Sequence, residues 1–105
     1  MHKKILDQLN EAILLFDTEL NLLYVNTAAE VMFGDSARHL TTLNAAELFS
    51  QDKTIIADLL NCLETNETLI IRERCVRLGH QTITTHFRAT PIFDTNETAE
   101  LLLEL

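Results

Sequence analysis

AILLFDTELNLLYVNTAAEVMFG, residues 12–34, decides the fold. It opens with an apolar run, Ala12–Phe16, and a second follows at Leu22–Val25. Between them, Asp17-Thr18-Glu19-Leu20-Asn21 is rich in side chains that bond back to their own backbone and so favour a turn. Asn26-Thr27 punctuates the second run, and either side chain suits the cap of a helix over Ala28–Phe33. Gly34 stands where that helix needs a residue with positive φ. The stretch therefore predicts a strand hairpin followed by a short helix.

The first run does not alternate in polarity. Ala12, Leu14 and Phe16 share one face of a strand, and Ile13 and Leu15 share the other. Both faces are apolar, so both need cover. One lines the core; the other calls for a leading helix, a partner chain, or both. Lys3–Asn10 supplies such a helix, with Ile5, Leu6 and Leu9 on one face and Asp7, Gln8 and Asn10 on the other. A helix this short is marginal alone and must dock.

Past Gly34, Asp35–Leu40 reads as a single helical turn capped by Asp35 or Ser36. Asn44–Phe49 has a similar form, with Glu47 at capping-box spacing from Asn44. The longest helix is expected over about Asp52–Glu64, with Ile55, Ile56, Leu59, Leu60 and Leu63 as its apolar stripe. Thr65-Asn66-Glu67 ends it. A strand over Thr68–Leu78 follows, then a turn at Gly79-His80 and a strand over Gln81–Phe93. In that second strand Ile83, Thr85, Phe87, Ala89 and Pro91 oppose Thr82, Thr84, His86, Arg88 and Thr90, the alternation of a sheet with one solvated face. After a loop at Asp94–Glu97, Ala99, Leu101, Leu103 and Leu105 share one face of the last strand, opposite Glu100, Leu102 and Glu104. The run stops at Leu105 without cap, turn or polar tail, the pattern of a piece cut from a longer chain. Short hairpins link the strands outside the helical insert, which predicts an α+β fold: one five-stranded antiparallel sheet with helices on one face and a helix at the N-terminus.

The chain has 105 residues, enough for one domain with a single core. Two glycines and one proline leave no room for a low-complexity tract. The net charge is −8, and the eight basic residues are scattered along the sequence, which argues against nucleic acid and anionic membrane as partners. No apolar run approaches the roughly 20 residues of a membrane helix. The basic start, Met1-His2-Lys3-Lys4, has no apolar region behind it and does not read as a secretory signal. The cytoplasm is the expected location. Cys62 and Cys75 form no metal-type pair and are expected to be buried, reduced thiols.

This order of elements resembles the PAS domain. The likeness rests on the opening AILLFDTELNLLYVNTAAEVMFG, on SARHL followed by LNAAELF, and on RATPI in the fourth strand. Within that family, ILDQLNEAILLFDTELNLLYVNTAAEVMFG with SARHL is similar to the N-terminal domains of nitrogen-regulation sensor histidine kinases. The resemblance implies a sheet with the first strand inside, beside the last, and helices closing over one face. It implies a regulatory input domain that forms a homodimer and signals to downstream kinase domains of the same chain. The PII signal protein and the response regulator of nitrogen assimilation would be partners of the parent kinase. Ile5, Leu6, Leu9, Ile13 and Leu15 are the expected dimer contact.

No catalytic residue is expected. None of His2, His39, His80 and His86 stands in the His-Glu/Asp…Pro setting of a phospho-acceptor helix, and Gly34 and Gly79 alone build no nucleotide loop. No metal site is expected, since no two histidines have ligand spacing on a helix. A flavin photosensor of this family needs an Asn-Cys-Arg motif where Asn44-Ala45-Ala46 stands, and a haem sensor needs an axial histidine on the long helix, which has none. No cofactor is therefore expected. The alternative is a small-ligand-binding sensor domain of another signalling protein, with a pocket lined by Asn26, Met32, Phe33, Phe49, Ile56, Leu59, Ile70, Thr85 and Phe87. Those side chains equally suit a filled core, and polar groups near them are few. A stand-alone cysteine enzyme would need a base beside Cys62 or Cys75.

Overall fold

The hairpin read at residues 12–25 forms, and the sheet grows from it. In the computed structural model, residues 11–78, 81–93 and 99–105 are described. The helix expected over Lys3–Asn10, the Gly79-His80 turn and the Asp94–Glu97 loop lie outside them. Strands β1 (Ile13–Phe16) and β2 (Leu22–Val25) lead into helices α1 (Thr27–Phe33), α2 (Ala37–Leu40), α3 (Ala45–Leu48) and α4 (Lys53–Thr65). Strands β3 (Leu69–Leu78), β4 (Gln81–Phe93) and β5 (Ala99–Glu104) follow. The sheet runs β2-β1-β5-β4-β3, every neighbouring pair antiparallel, with β1 inside beside β5. This is the expected five-stranded antiparallel sheet.

The turn at 17–21 forms because Asp17 organises it. Its Oδ1 accepts from the backbone N–H groups of Glu19 and Asn21, each at 2.9 Å. Leu20 takes a left-handed φ of 63° there, and its side chain is buried. That burial offsets a strain of about 1 kcal/mol for a residue with a Cβ in this region. The turn is also tied to α3: Ala45 N–H donates to the Leu20 carbonyl at 2.8 Å, and Asn44 Nδ2 to the Glu19 carbonyl at 2.9 Å.

The helix ends follow local chemistry. Asn26 caps α1 and Gly34 closes it at φ 65°. Ser36 caps α2. Asn44 and Glu47 form a capping box at α3. Asn66, at φ 57°, ends α4. The helices cover one sheet face: Ala29, Leu40, Ala45, Phe49, Ile55 and Leu59 pack with Leu14, Phe16, Phe87, Ala89, Leu101 and Leu103 in one core.

Three expectations are corrected. Leu60 is half exposed and Cys62 is buried in its place on α4, because Leu60 lies about 140° round the helix from buried Ile55. Cys75 is exposed and Ile70 is 54% exposed, on the sheet face away from the helices. A bulge explains Cys75. Ile71 pairs with Phe87 and Arg74 with Thr85, so β3 advances three residues while β4 advances two. An extra residue reverses the facing of every later side chain. Arg74, Val76 and Leu78 turn toward the helices, and Cys75 and Arg77 turn away. Ile70 pairs with Arg88 on the outer face, between inward Leu69 and Ile71.

Candidate functional site

Asn26 is buried completely. Its Oδ1 accepts from the N–H of Ile13 at 2.9 Å and from the N–H of Ala29 at 3.0 Å, and its Nδ2 donates to the Glu11 carbonyl at 2.8 Å. One side chain thus ties the start of β1 to the first turn of α1. These bonds hold backbone, and Asn26 lines neither the recess at Met32 and Phe33 nor the one at Phe49 and Ile56, which makes it a positioning residue.

The other residues expected to line a pocket are dispersed. Leu59 and Phe87 are fully buried in the core, and Thr85 is half-buried on the helix-facing side of β4. Met32 and Phe33 line an open recess of about 590 Å³ at α1, α2 and α3, reaching Leu78 and Gln81. Phe49 and Ile56 line a second, apolar recess of about 500 Å³ with Ala46, Lys53, Ala57 and Leu60, between α3 and α4. Phe33 and Phe49 meet edge to face, their ring centroids 6.1 Å apart. Ile70 stands on the far side of the sheet from all of these.

The first recess carries the polar groups. Asp35, Glu47, Ser50 and Gln81 border it, among Leu40, Leu43 and Leu48. Asp35 is hydrogen-bonded to the His39 ring, and that bond holds its carboxyl below the usual carboxylate range.

The sequence reading missed a polar cluster at the flank of α4. The Arg74 guanidinium lies over the Phe87 ring, 4.5 Å from its centroid. Its Nη2 donates to Thr54 Oγ1 at 3.2 Å. Its Nη1 lies 2.6 Å from Asp58 Oδ2, an ion pair by distance though without a well-aligned N–H. The Arg74 side chain is 11% exposed and that of Asp58 37%. A cation over an aromatic face and beside a carboxylate is stabilised by both, so the cluster clamps α4 to β3. The only hint in the sequence is an arginine beside a run of charge, and its facing depends on the bulge.

On the outer face, burial and then the charge of Glu11 raise the Glu104 carboxyl above the usual range, against a smaller opposing effect of Arg88. Burial, helped by the Asp58 charge, pushes the Cys62 thiol up. Among the described residues no three His, Cys, Asp or Glu side chains group to hold a metal, and no helix is long and apolar enough to cross a membrane.

The described residues thus form a single antiparallel sheet with four helices on one face and open recesses among those helices. The chain belongs to the family described as the PAS fold, whose family model matches residues 6–105. No curated protein sequence matches it. Among solved structures, it is similar to the PAS domain of nitrogen regulation protein NR(II) from Vibrio parahaemolyticus. That match has 23% identity, covers 97% of this chain and 93% of that one, and has a TM-score of 0.80. A domain of a sensory box sensor histidine kinase/response regulator from Geobacter sulfurreducens matches at 20% identity, with 97% and 87% coverage and a TM-score of 0.74. A PAS domain from a two-component sensor histidine kinase matches at 17% identity, with 97% and 88% coverage and a TM-score of 0.74.

Proposed function

We propose that this chain is a non-enzymatic regulatory and dimerisation domain, the input module of a cytoplasmic two-component sensor histidine kinase controlling nitrogen assimilation. The observation that carries the reading is the near full-length likeness to the NR(II) PAS domain. In this reading the phospho-acceptor histidine and the nucleotide site belong to kinase domains further along the same parent chain. The PII signal protein and the response regulator act on that parent, not on this domain.

The dimer contact in this proposal is the apolar set Ile5, Leu6 and Leu9, above Ile13 and Leu15. Ile13 and Leu15 are already buried within the single chain, at 1% and 8% exposure, so the surface offered to a partner in this proposal is chiefly that of Ile5, Leu6 and Leu9. Each buried aliphatic side chain contributes about 1.5–3 kcal/mol. Ile5→Glu with Leu9→Glu is expected to give monomers in sedimentation, and a dimer untouched by both substitutions refutes the placement. The reading frame beyond Leu105 in the gene checks the kinase assignment: a frame that continues into anything but a kinase core refutes it.

The recess beside Met32 and Phe33 supports a second reading, a small-ligand sensor, because four polar side chains join apolar ones in bordering an open, mixed-polarity hollow there. Native mass spectrometry of freshly purified protein tests it. A bound small molecule supports the reading, and a clean apo mass counts against it.

A further inference from the structure

The outer face of the sheet is divided. Around β1 it is apolar and buried, at Ile13 and Leu15. Across β3 and β4 it is exposed and basic. The bulge between Ile71 and Arg74 creates this half. It turns Arg74 inward, leaves Arg72 and Glu73 opposite His86, and sends Cys75 and Arg77 outward, paired with Thr84 and Thr82. Arg88 stands outward beside Ile70. Arg72, Arg77, His86 and Arg88 are all exposed; Glu73 is the only carboxylate in either strand, and Glu104 of β5 lies beside Arg88, its Oε1 3.9 Å from the Arg88 Nε. The helical segment 27–67 has the opposite character, with seven carboxylates against Arg38 and Lys53. Three of the eight Lys and Arg residues, Arg72, Arg77 and Arg88, are therefore gathered on one face of the fold.

We propose that the exposed outer face of β3 and β4 is a docking surface for an acidic polypeptide segment, held by Arg72, Arg77 and Arg88. Charge complementarity selects the partner. The guanidiniums of Arg72 and Arg77, with that of Arg88 shared with Glu104, present planar forks that match carboxylates, on a molecule whose net charge of −8 otherwise repels acidic partners. Arg72 and Arg77 are about 16 Å apart along the strand at about 3.3 Å per residue, close to three turns of α-helix at about 5.4 Å each. Ile70, 54% exposed beside Arg88, adds an apolar contact. A nucleic acid fits less well, since its dense phosphates meet Glu73 and the acidic remainder of the molecule. A second copy docking through its acidic helices would make a head-to-tail contact, a less common arrangement than the two-fold dimer. The surface is separate from the proposed dimer contact and does not rest on it.

The chain carries its own reporter. Cys75 is exposed in the middle of this face, while Cys62 is buried with its thiol pushed up, so a neutral alkylating reagent modifies Cys75 first. The probes are a helical peptide of about 15 residues with glutamate along one face, its glutamine counterpart, and a uridine 15-mer of RNA. At ten times its Kd, the glutamate peptide is expected to slow Cys75 alkylation about tenfold. The effect should vanish near 1 M salt, where screening acts within about 3 Å. It should be lost in Arg72→Glu with Arg77→Glu and kept in Arg38→Glu, on the helical side. The peptide comparison on the unsubstituted chain decides the question even where a variant fails to fold. No slowing up to about 1 mM peptide, equal slowing by the glutamine peptide, stronger slowing by the RNA, or slowing that survives both reversals would each overturn the proposal.

Discussion

Replacing Asn26 by alanine separates two accounts of this residue. As a helix cap alone, Asn26 is worth about 1 kcal/mol, the usual cost of an N-cap truncation. The structure assigns it more. Its Oδ1 also accepts from the N–H of Ile13, at the buried start of β1. That strand residue pairs with Glu104 on one side, where the flanking backbone bond runs from Leu105 N–H to the Ala12 carbonyl. Without Asn26 the Ile13 N–H has no partner, and an unsatisfied buried donor costs about 1–3 kcal/mol. The Glu11 carbonyl, at the exposed end, regains a bond from water. The total for Asn26→Ala is about 3 kcal/mol, adding those two costs.

Asn44→Ala is the matched control, since Asn44 caps α3 in a capping box and is bonded only to exposed groups. It should cost about 1 kcal/mol. Urea unfolding followed by circular dichroism measures both, with an unchanged m-value as the condition for comparing midpoints. In thermal melts the Asn26 variant should lose about 15 °C and the Asn44 variant about 5 °C. Asn26→Ser keeps a capping oxygen but is too short to serve Ile13 as well, so it should recover only the capping part. Equal losses for Asn26→Ala and Asn44→Ala would refute the two-sided role.

The clamp on α4 makes an asymmetric prediction. Asp58→Ala strands the guanidinium of Arg74 and should cost about 2 kcal/mol, whereas Arg74→Met keeps the packing on Phe87 and should cost under about 1 kcal/mol; equal costs in urea unfolding would refute the clamp. Glu104 predicts a pH dependence: its folded carboxyl titrates above its unfolded one, so the folded state holds the proton more tightly. Its stabilising contribution is present below the unfolded pKa and is lost as pH rises through the folded one. Glu104→Gln should therefore leave stability near that of the parent in acid and raise it at neutral pH, and a variant whose urea midpoints track the parent at every pH would refute this.

What was legible in the sequence is what a few neighbouring residues decide. The 12–34 hairpin and helix, the Asn44–Glu47 capping box, Gly34 as a stop and the alternation along Gln81–Phe93 each depend on contacts within a turn or on strand parity. They appear where expected. What was not legible depends on pairing across the sheet. Nothing in the run Ile71-Arg72-Glu73-Arg74-Cys75 announces that three of its residues will span two of β4. Unbroken parity from Ile71 would turn Glu73, Cys75 and Arg77 toward the core; the expected burial of Cys75 rests on its residue type alone, and the bulge turns it outward. The bulge removes two charges from the interior and leaves Arg74 as the one to be neutralised, which Asp58 and the Phe87 ring do from different elements. The same slip turns Arg77 outward, to the face where Arg88 stands on the opposite strand. A charge pattern that looks dispersed along a chain becomes a surface only when strand register is known. Register here is set by burial of Val76 and Leu78 against the helices, the apolar contact that favours the bulged pairing over the regular one.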